Sequence, residues 1–177
     1  MPKINNEKIR SGIEKYLVLR KMLFETNVAK DRVFQKTYNG FFRMGRRTEE
    51  YYQDYYCYLE QHKTSGASFA EVLKFLYEKH GRLEMSFASK IVAMIDPEYP
   101  IWDSVVTKGH FKIIAPYAGA KNRLQQGIER YEHYYRVYSL YMQSEEGKKK
   151  IEEFDRLFPH TGISNVKKLD FVLWQER

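Results

Sequence analysis

Three arginines crowd the stretch Phe41-Phe42-Arg43-Met44-Gly45-Arg46-Arg47. Guanidinium groups grip phosphate oxygens through forked N–H donors, and aromatic faces stack on bases, so this combination on a glycine-containing turn suits a nucleic-acid backbone. The same residues also suit a solvated turn with Phe41 and Phe42 tucked into a core. A second feature is Asp103, which follows Pro100-Ile101-Trp102. A helix can start there, and an acid at its first turn satisfies free N–H groups while the helix end favours its charge. Trp102 reads as core filler or as an aromatic wall. Lys148-Lys149-Lys150 is flanked by Glu145, Glu146, Glu152 and Glu153 and reads as a solvated helix with i,i+4 ion pairs.

Several chemistries find no residues to carry them. The five histidines show no metal-ligand spacing beyond Glu129 and His133 at i,i+4, so no metal is expected. The single cysteine, Cys57, excludes a disulfide framework and any four-cysteine cluster. There is no P-loop, GxGxxG or GxSxG, and no cofactor is expected. The start, MPKINNEKIR, is polar and charged, and no apolar run approaches the ~18 residues of a membrane span. These features point to a cytoplasmic protein with no membrane association. The net charge of +7 is unevenly placed: residues 1–47 hold twelve Lys/Arg against four Asp/Glu, and the remainder is nearly balanced. A basic first quarter is the electrostatic footprint expected of a nucleic-acid binder, or simply of solvated helix faces.

The elements that must position these residues are helical. With 177 residues the chain fits one domain, and 10 Gly and 5 Pro suit helices joined by short turns. Asn5 or Asn6 caps a first helix to about Glu25, with Ile9, Ile13, Tyr16, Leu17, Leu23 and Phe24 on its apolar stripe. A second covers about Val28 to Tyr38 and ends at an Asn39-Gly40 turn. Thr48 caps a third to about His62, with Tyr52, Tyr55, Tyr56 and Leu59 inward. Ser68 and Glu71 form a capping box for a fourth, which Gly81 terminates. Further helices are expected over Met85 to Ile95, briefly after Pro100, over about Lys121 to Gln143, over about Glu145 to Leu157, and after a Ser164 cap. Lys108 to Ala120 reads as a loop. The tyrosine runs Tyr51 to Tyr58 and Tyr131 to Tyr141 have the spacing of interhelical packing. No alternating strand is visible, so the fold class is all-α: a compact array of about eight helices. Within this single domain, 1–177, the basic helical part covers about 1–47, a core about 68–143, and C-terminal helices about 144–177.

The stretch GRLEMSFASKIVAMIDPEYPIWDSVVTKG, Gly81 to Gly109, resembles the active-site core of the helix-hairpin-helix base-excision DNA glycosylases. In that family a Gly-rich hairpin leads into a small-residue helix, and a short linker delivers an aspartate within a Pro-Ile-x-Asp-x-x-Val type sequence. Pro100, Ile101, Asp103 and Val106 match that pattern. The resemblance implies a reduced version of the family fold, with Asp103 as the catalytic carboxylate beside the sugar of a flipped-out base. It also implies that Ser86 and Trp102 line the base pocket with Lys90 nearby, and that Arg82 on the hairpin joins Arg43, Arg46 and Arg47 on DNA phosphates. Ser86 falls near the position of the Schiff-base lysine of bifunctional members, which points to monofunctional glycosylase chemistry; Lys90 lies one turn further along. The hairpin Gly81-Arg82-Leu83-Glu84-Met85 has one glycine where the family has a Leu-x-Gly-x-Gly core, and Glu84 puts negative charge where phosphate would sit. The similarity covers about 29 of 177 residues. The alternative reading is a non-catalytic descendant of that fold that binds nucleic acid or a protein partner, with Asp103 as a helix cap. A third is a purely interacting protein with tyrosine-rich surfaces.

Overall fold

The computed structural model describes residues 6–176; Asn5, one of the two candidate caps of the first helix, lies outside them. Among the described residues there are eight α-helices, one short π-helical segment and no strand. Helix α1 (Asn6–Glu25) buries Ile9, Ile13, Tyr16, Leu19 and Leu23. Leu17 and Phe24, expected on this stripe, face outward, and Leu19 takes their place. Helix α2 (Arg32–Phe41) starts later than expected and runs through Asn39-Gly40. Its start is fixed by the Asp31 carboxylate, which accepts from the Val33 and Phe34 amides. Its extension carries the aromatic stripe Phe34, Tyr38 and Phe42 into the core, so packing overrides the turn preference of Asn-Gly.

The caps of the next two helices match their sequence signals. Thr48 accepts from Tyr51 N at the start of α3 (Glu49–His62). Ser68 and Glu71 form a reciprocal capping box on α4 (Phe69–His80), and Gly81 closes it with φ 65°, a left-handed conformation in which a Cβ is strained. In α3 the inward face is Tyr51, Tyr55, Tyr56, Tyr58 and Leu59, with Tyr52 half-buried. Helix α5 (Met85–Ile95) is buried on nearly every side, from Met85 through Met94 apart from Ser86. It packs on α3 and α4.

After α5 the chain turns at Asp96-Pro97 and reaches a π-helical segment, Val105–His110, in place of the short α-helix expected there. Helix α6 (Arg123–Gln143) packs on α4, on α7 (Glu145–Leu157) and on α8 (Asn165–Leu173); α7 also packs on α8, and α8 on the π-helical segment. Ser144 caps α7 and Ser164 caps α8, each through its hydroxyl. The buried apolar residues of all eight helices form one contiguous core.

The tyrosines bind this core together. Tyr38, Tyr55, Tyr56, Tyr134 and Tyr138 are wholly buried, yet each hydroxyl has a partner. Tyr38 and Tyr55 share a hydrogen bond of 2.9 Å, and Tyr55 also donates to Phe87 O. On α6, Tyr131 donates to Pro100 O and Tyr134 to Ile101 O. Two hydroxyls from α6 therefore anchor the strand-like linker that carries Trp102 and Asp103. Burial, with the Asp170 charge adding to it, pushes the Tyr131 and Tyr134 phenol pKa values up, so these two hydroxyls keep their protons and donate them to the linker carbonyls.

Candidate functional site around helix α5

The last turn of the linker is tied to α5 through one serine. Ser89, wholly buried, donates from Oγ to Ser86 O and accepts from Trp102 N at 2.9 Å. Asp103 follows immediately. Its Oδ1 accepts from Val105 N at 2.8 Å, and its carbonyl accepts from both Thr107 N and Thr107 Oγ1. Asp103 therefore caps the helical turn that leads into the π-helical segment. Among the described residues Oδ2 takes part in no hydrogen bond, and the side chain is half-buried.

Lys90 feels the charge of this carboxylate without forming an ion pair with it. It is 8% exposed, and its Nζ donates to Ser86 Oγ at 3.0 Å. Loss of hydration pushes the amine pKa down to about 8, against the attraction of Asp103 and then Glu84; Arg47 adds to the lowering. Side chains on a helix lean toward its N-terminus, so the residue four positions on reaches back over the earlier one. This geometry puts an amine beside Ser86, although the lysine stands one turn further along the sequence. Trp102, by contrast, is 6% exposed and meets Tyr134 edge to face at 5.6 Å. It fills the core and offers no open wall to a flat ligand.

A cleft of about 450 Å³ opens at the N-terminal side of α5, lined by Arg46, Arg47, Thr48, Tyr51, His80 and Arg82. The α2–α3 loop supplies the first two residues, the start of α3 the next two, and the α4–α5 turn the rest. Arg47 holds Glu84 with two bonds of 3.0 Å, and Arg82 Nε lies 3.1 Å from the same carboxylate. Arg47 also lies over the Phe87 ring at 4.7 Å. Glu84 is buried beneath the two guanidinium groups, so its charge is matched and does not repel an anion entering the cleft. The Tyr51 hydroxyl is buried and has no hydrogen-bond partner.

The expected site residues thus fall into two groups and two outliers, Trp102 and Arg43. Ser86 and Lys90 meet directly, and the Asp103 charge reaches the Lys90 amine. Arg46, Arg47 and Arg82 converge on the cleft, whose lining includes none of the first group. Arg43 is turned away, with its guanidinium 4.4 Å over the Trp174 ring and its backbone at φ 48°. Sequence reasoning missed Ser89, Thr48, Tyr51 and His80 as parts of these sites. The Ser68-to-Gly81 helix signals place His80 and Arg82 at one helix end, but nothing local brings that end against Arg46.

No helix of the described residues is long and apolar enough to cross a membrane. Nor do the described residues contain a group of three or more His, Cys, Asp or Glu able to hold a metal ion. No family model, curated protein or solved structure matches the chain.

Proposed function

We propose that this protein binds DNA and cleaves the N-glycosidic bond of a flipped base. The observation that carries this reading is the buried Lys90 amine, 3.0 Å from Ser86 Oγ and coupled to the Asp103 charge, within the segment that resembles the glycosylase core. Burial lowers the pKa of this amine, which favours its uncharged, nucleophilic form. Because Lys90 Nζ reaches back to Ser86, this scheme replaces the monofunctional route that Ser86 alone implies: the amine bonds to sugar C1′ as the C–N bond to the base breaks. The electron pair leaves with the base, which takes up the proton that the amine gives up. The Asp103 carboxylate faces the positive charge that develops on the sugar. Arg46, Arg47 and Arg82 supply phosphate contacts.

A specific observation also favours a second reading. The Asp103 Oδ1 bond to Val105 N is a complete structural role, and a non-catalytic nucleic-acid- or protein-binding descendant of the fold needs no more of that residue. The two are separated by incubating the protein with duplexes carrying single damaged bases or an abasic site, with and without borohydride. Hot alkali then reports base loss, and a gel-shifted adduct reports an imine. Strand scission lost in Asp103→Asn, with an adduct lost in Lys90→Met, supports the enzyme. Salt-sensitive binding with neither product supports the non-catalytic reading. No binding at low salt removes both DNA readings.

A further inference from the structure

We infer that the cleft between the α2–α3 loop and the α4–α5 turn is a binding site for a phosphate monoester, and, resting on the DNA reading above, that its ligand is the phosphorylated end of a strand. Three observations lead there. The first is charge: three guanidinium groups, of Arg46, Arg47 and Arg82, border the cleft, and one carboxylate, Glu84, sits beneath them. Asp54, behind His80, is itself met by Lys79 at 3.5 Å and His80 at 3.4 Å. The surplus of about two positive charges matches a monoester, which carries close to two negative charges near neutral pH, better than the single charge of an internal phosphodiester.

The second is geometry. Glu84 takes Nε and Nη2 of Arg47 and Nε of Arg82, so it fixes two guanidinium planes and leaves both terminal nitrogens of Arg82 for a ligand. Arg47 Nη1 donates to the Arg46 carbonyl at 2.7 Å, and Arg46 itself is part of the cleft lining. Glu84 is a positioning residue for the arginines and does not occupy the anion's place. The Glu84 substitution that sets this turn apart from a Gly-rich hairpin thereby replaces backbone N–H donors with side-chain ones.

The third is Tyr51, a cleft-lining residue only 2% exposed whose buried hydroxyl has no hydrogen-bond partner. A buried O–H without an acceptor is costly. A terminal phosphate has three acceptor oxygens and can project one inward, whereas an internal phosphate continues into chain on both sides. The Thr48 hydroxyl, which already accepts from Tyr51 N, retains its own proton for a second donor at the rim.

The test measures binding of one fluorescent single-stranded oligonucleotide with a 5′-phosphate, a 3′-phosphate or hydroxyls at both ends, with thymidine monophosphate and inorganic phosphate as competitors. One phosphorylated end should bind at least about tenfold more tightly than the hydroxyl form, since charge-assisted bonds are at stake. Arg46→Ala, Arg82→Ala and Tyr51→Phe should each shrink that ratio, while the charge-matched surface change Lys149→Ala should leave it. Equal affinity for all three oligonucleotides overturns the inference and leaves the DNA reading standing. Binding of thymidine monophosphate that depends on Arg46 and Arg82, without binding of any oligonucleotide, supports the monoester cleft and removes both the strand end and the DNA reading. Circular dichroism of each variant separates loss of binding from loss of fold.

Discussion

The buried pair Lys167–Asp170 on α8 gives a sharp test of the packing argument. Lys167 Nζ stands 5.0 Å from the Tyr16 ring and within 5.6 Å of the Phe41, Phe42 and Phe171 rings. Its carboxylate partner is 3.6 Å away, and Asp170 Oδ2 has no hydrogen bond. Desolvation pushes Lys167 down and Asp170 up, the latter to about 6. Loose geometry between two desolvated charges does not offset their lost hydration. Asp170→Ala strands an ammonium among four rings and should cost about 3 kcal/mol, lowering Tm by roughly 6–12 °C for a domain of this size. The double variant Lys167→Met/Asp170→Leu should recover that loss to within about 1 kcal/mol, or exceed the parent. Tyr138 OH keeps its bond to Val166 O in both variants. The sign of the pH effect follows from Asp170. Its folded pKa is raised from 3.8 to about 6, so its contribution favours folding below about pH 4 and is lost as pH rises through 6, about 3 kcal/mol in all. Asp31 and Glu71, whose pKa values are lowered by backbone hydrogen bonds, work in the opposite sense. Urea unfolding of the parent and Asp170→Asn from pH 4 to 7 should therefore show the parent losing relative stability as pH rises. A double variant as unstable as the two single losses added together would refute the reasoning.

Three further outcomes are expected. Gly147→Ala should lower stability by about 1–3 kcal/mol in urea unfolding, because a Cβ there would meet the Tyr141 carbonyl oxygen at the tight α6–α7 junction; an unchanged midpoint would mean the two helices separate freely. Glu84→Ala should cost about 3 kcal/mol, since Arg47 is left largely buried without its carboxylate, and Arg47→Met/Glu84→Ala should cost less than Glu84→Ala alone. Lys90→Met should hold or slightly raise the thermal midpoint, because the amine is buried with its pKa depressed mainly by desolvation; a marked loss would show that its bond to Ser86 is structural.

What the sequence made legible was local. The Thr48, Ser68–Glu71 and Ser164 starts and the Gly81 stop each depend on a few neighbouring residues, and each stands where the spacing puts it. The misreadings came where tertiary packing chose between local options. Asn39-Gly40 signals a turn, but burial of Tyr38 and Phe42 holds those residues in α2. The segment after Pro100 carries the signals of a short α-helix; Thr107 does bond back to Asp103 O, but further on the spacing lengthens to Phe111 N on Val106 O, five residues back, and the turn is π-helical. At the site, Lys90 and Ser86 were separable on a sequence line yet meet on a helix face. The cleft was illegible because Arg47 and Arg82 are brought together only by Glu84 and the docking of α3 on α5.

The two halves of the site are not independent, because α5 carries both. Glu84 precedes its first turn and Lys90 lies about 9 Å further along the axis at 1.5 Å per residue. Across that distance, inside a poorly hydrated helix interface, charges act on one another: Glu84 draws the Lys90 pKa up and Arg47 draws it down. Asp103 exerts the larger upward pull on Lys90, Glu84 adds to it, and Arg47 opposes both. Glu84 thus holds Arg47 and Arg82 at the cleft and opposes the pull of Arg47 on the amine, while burial is the largest influence on Lys90.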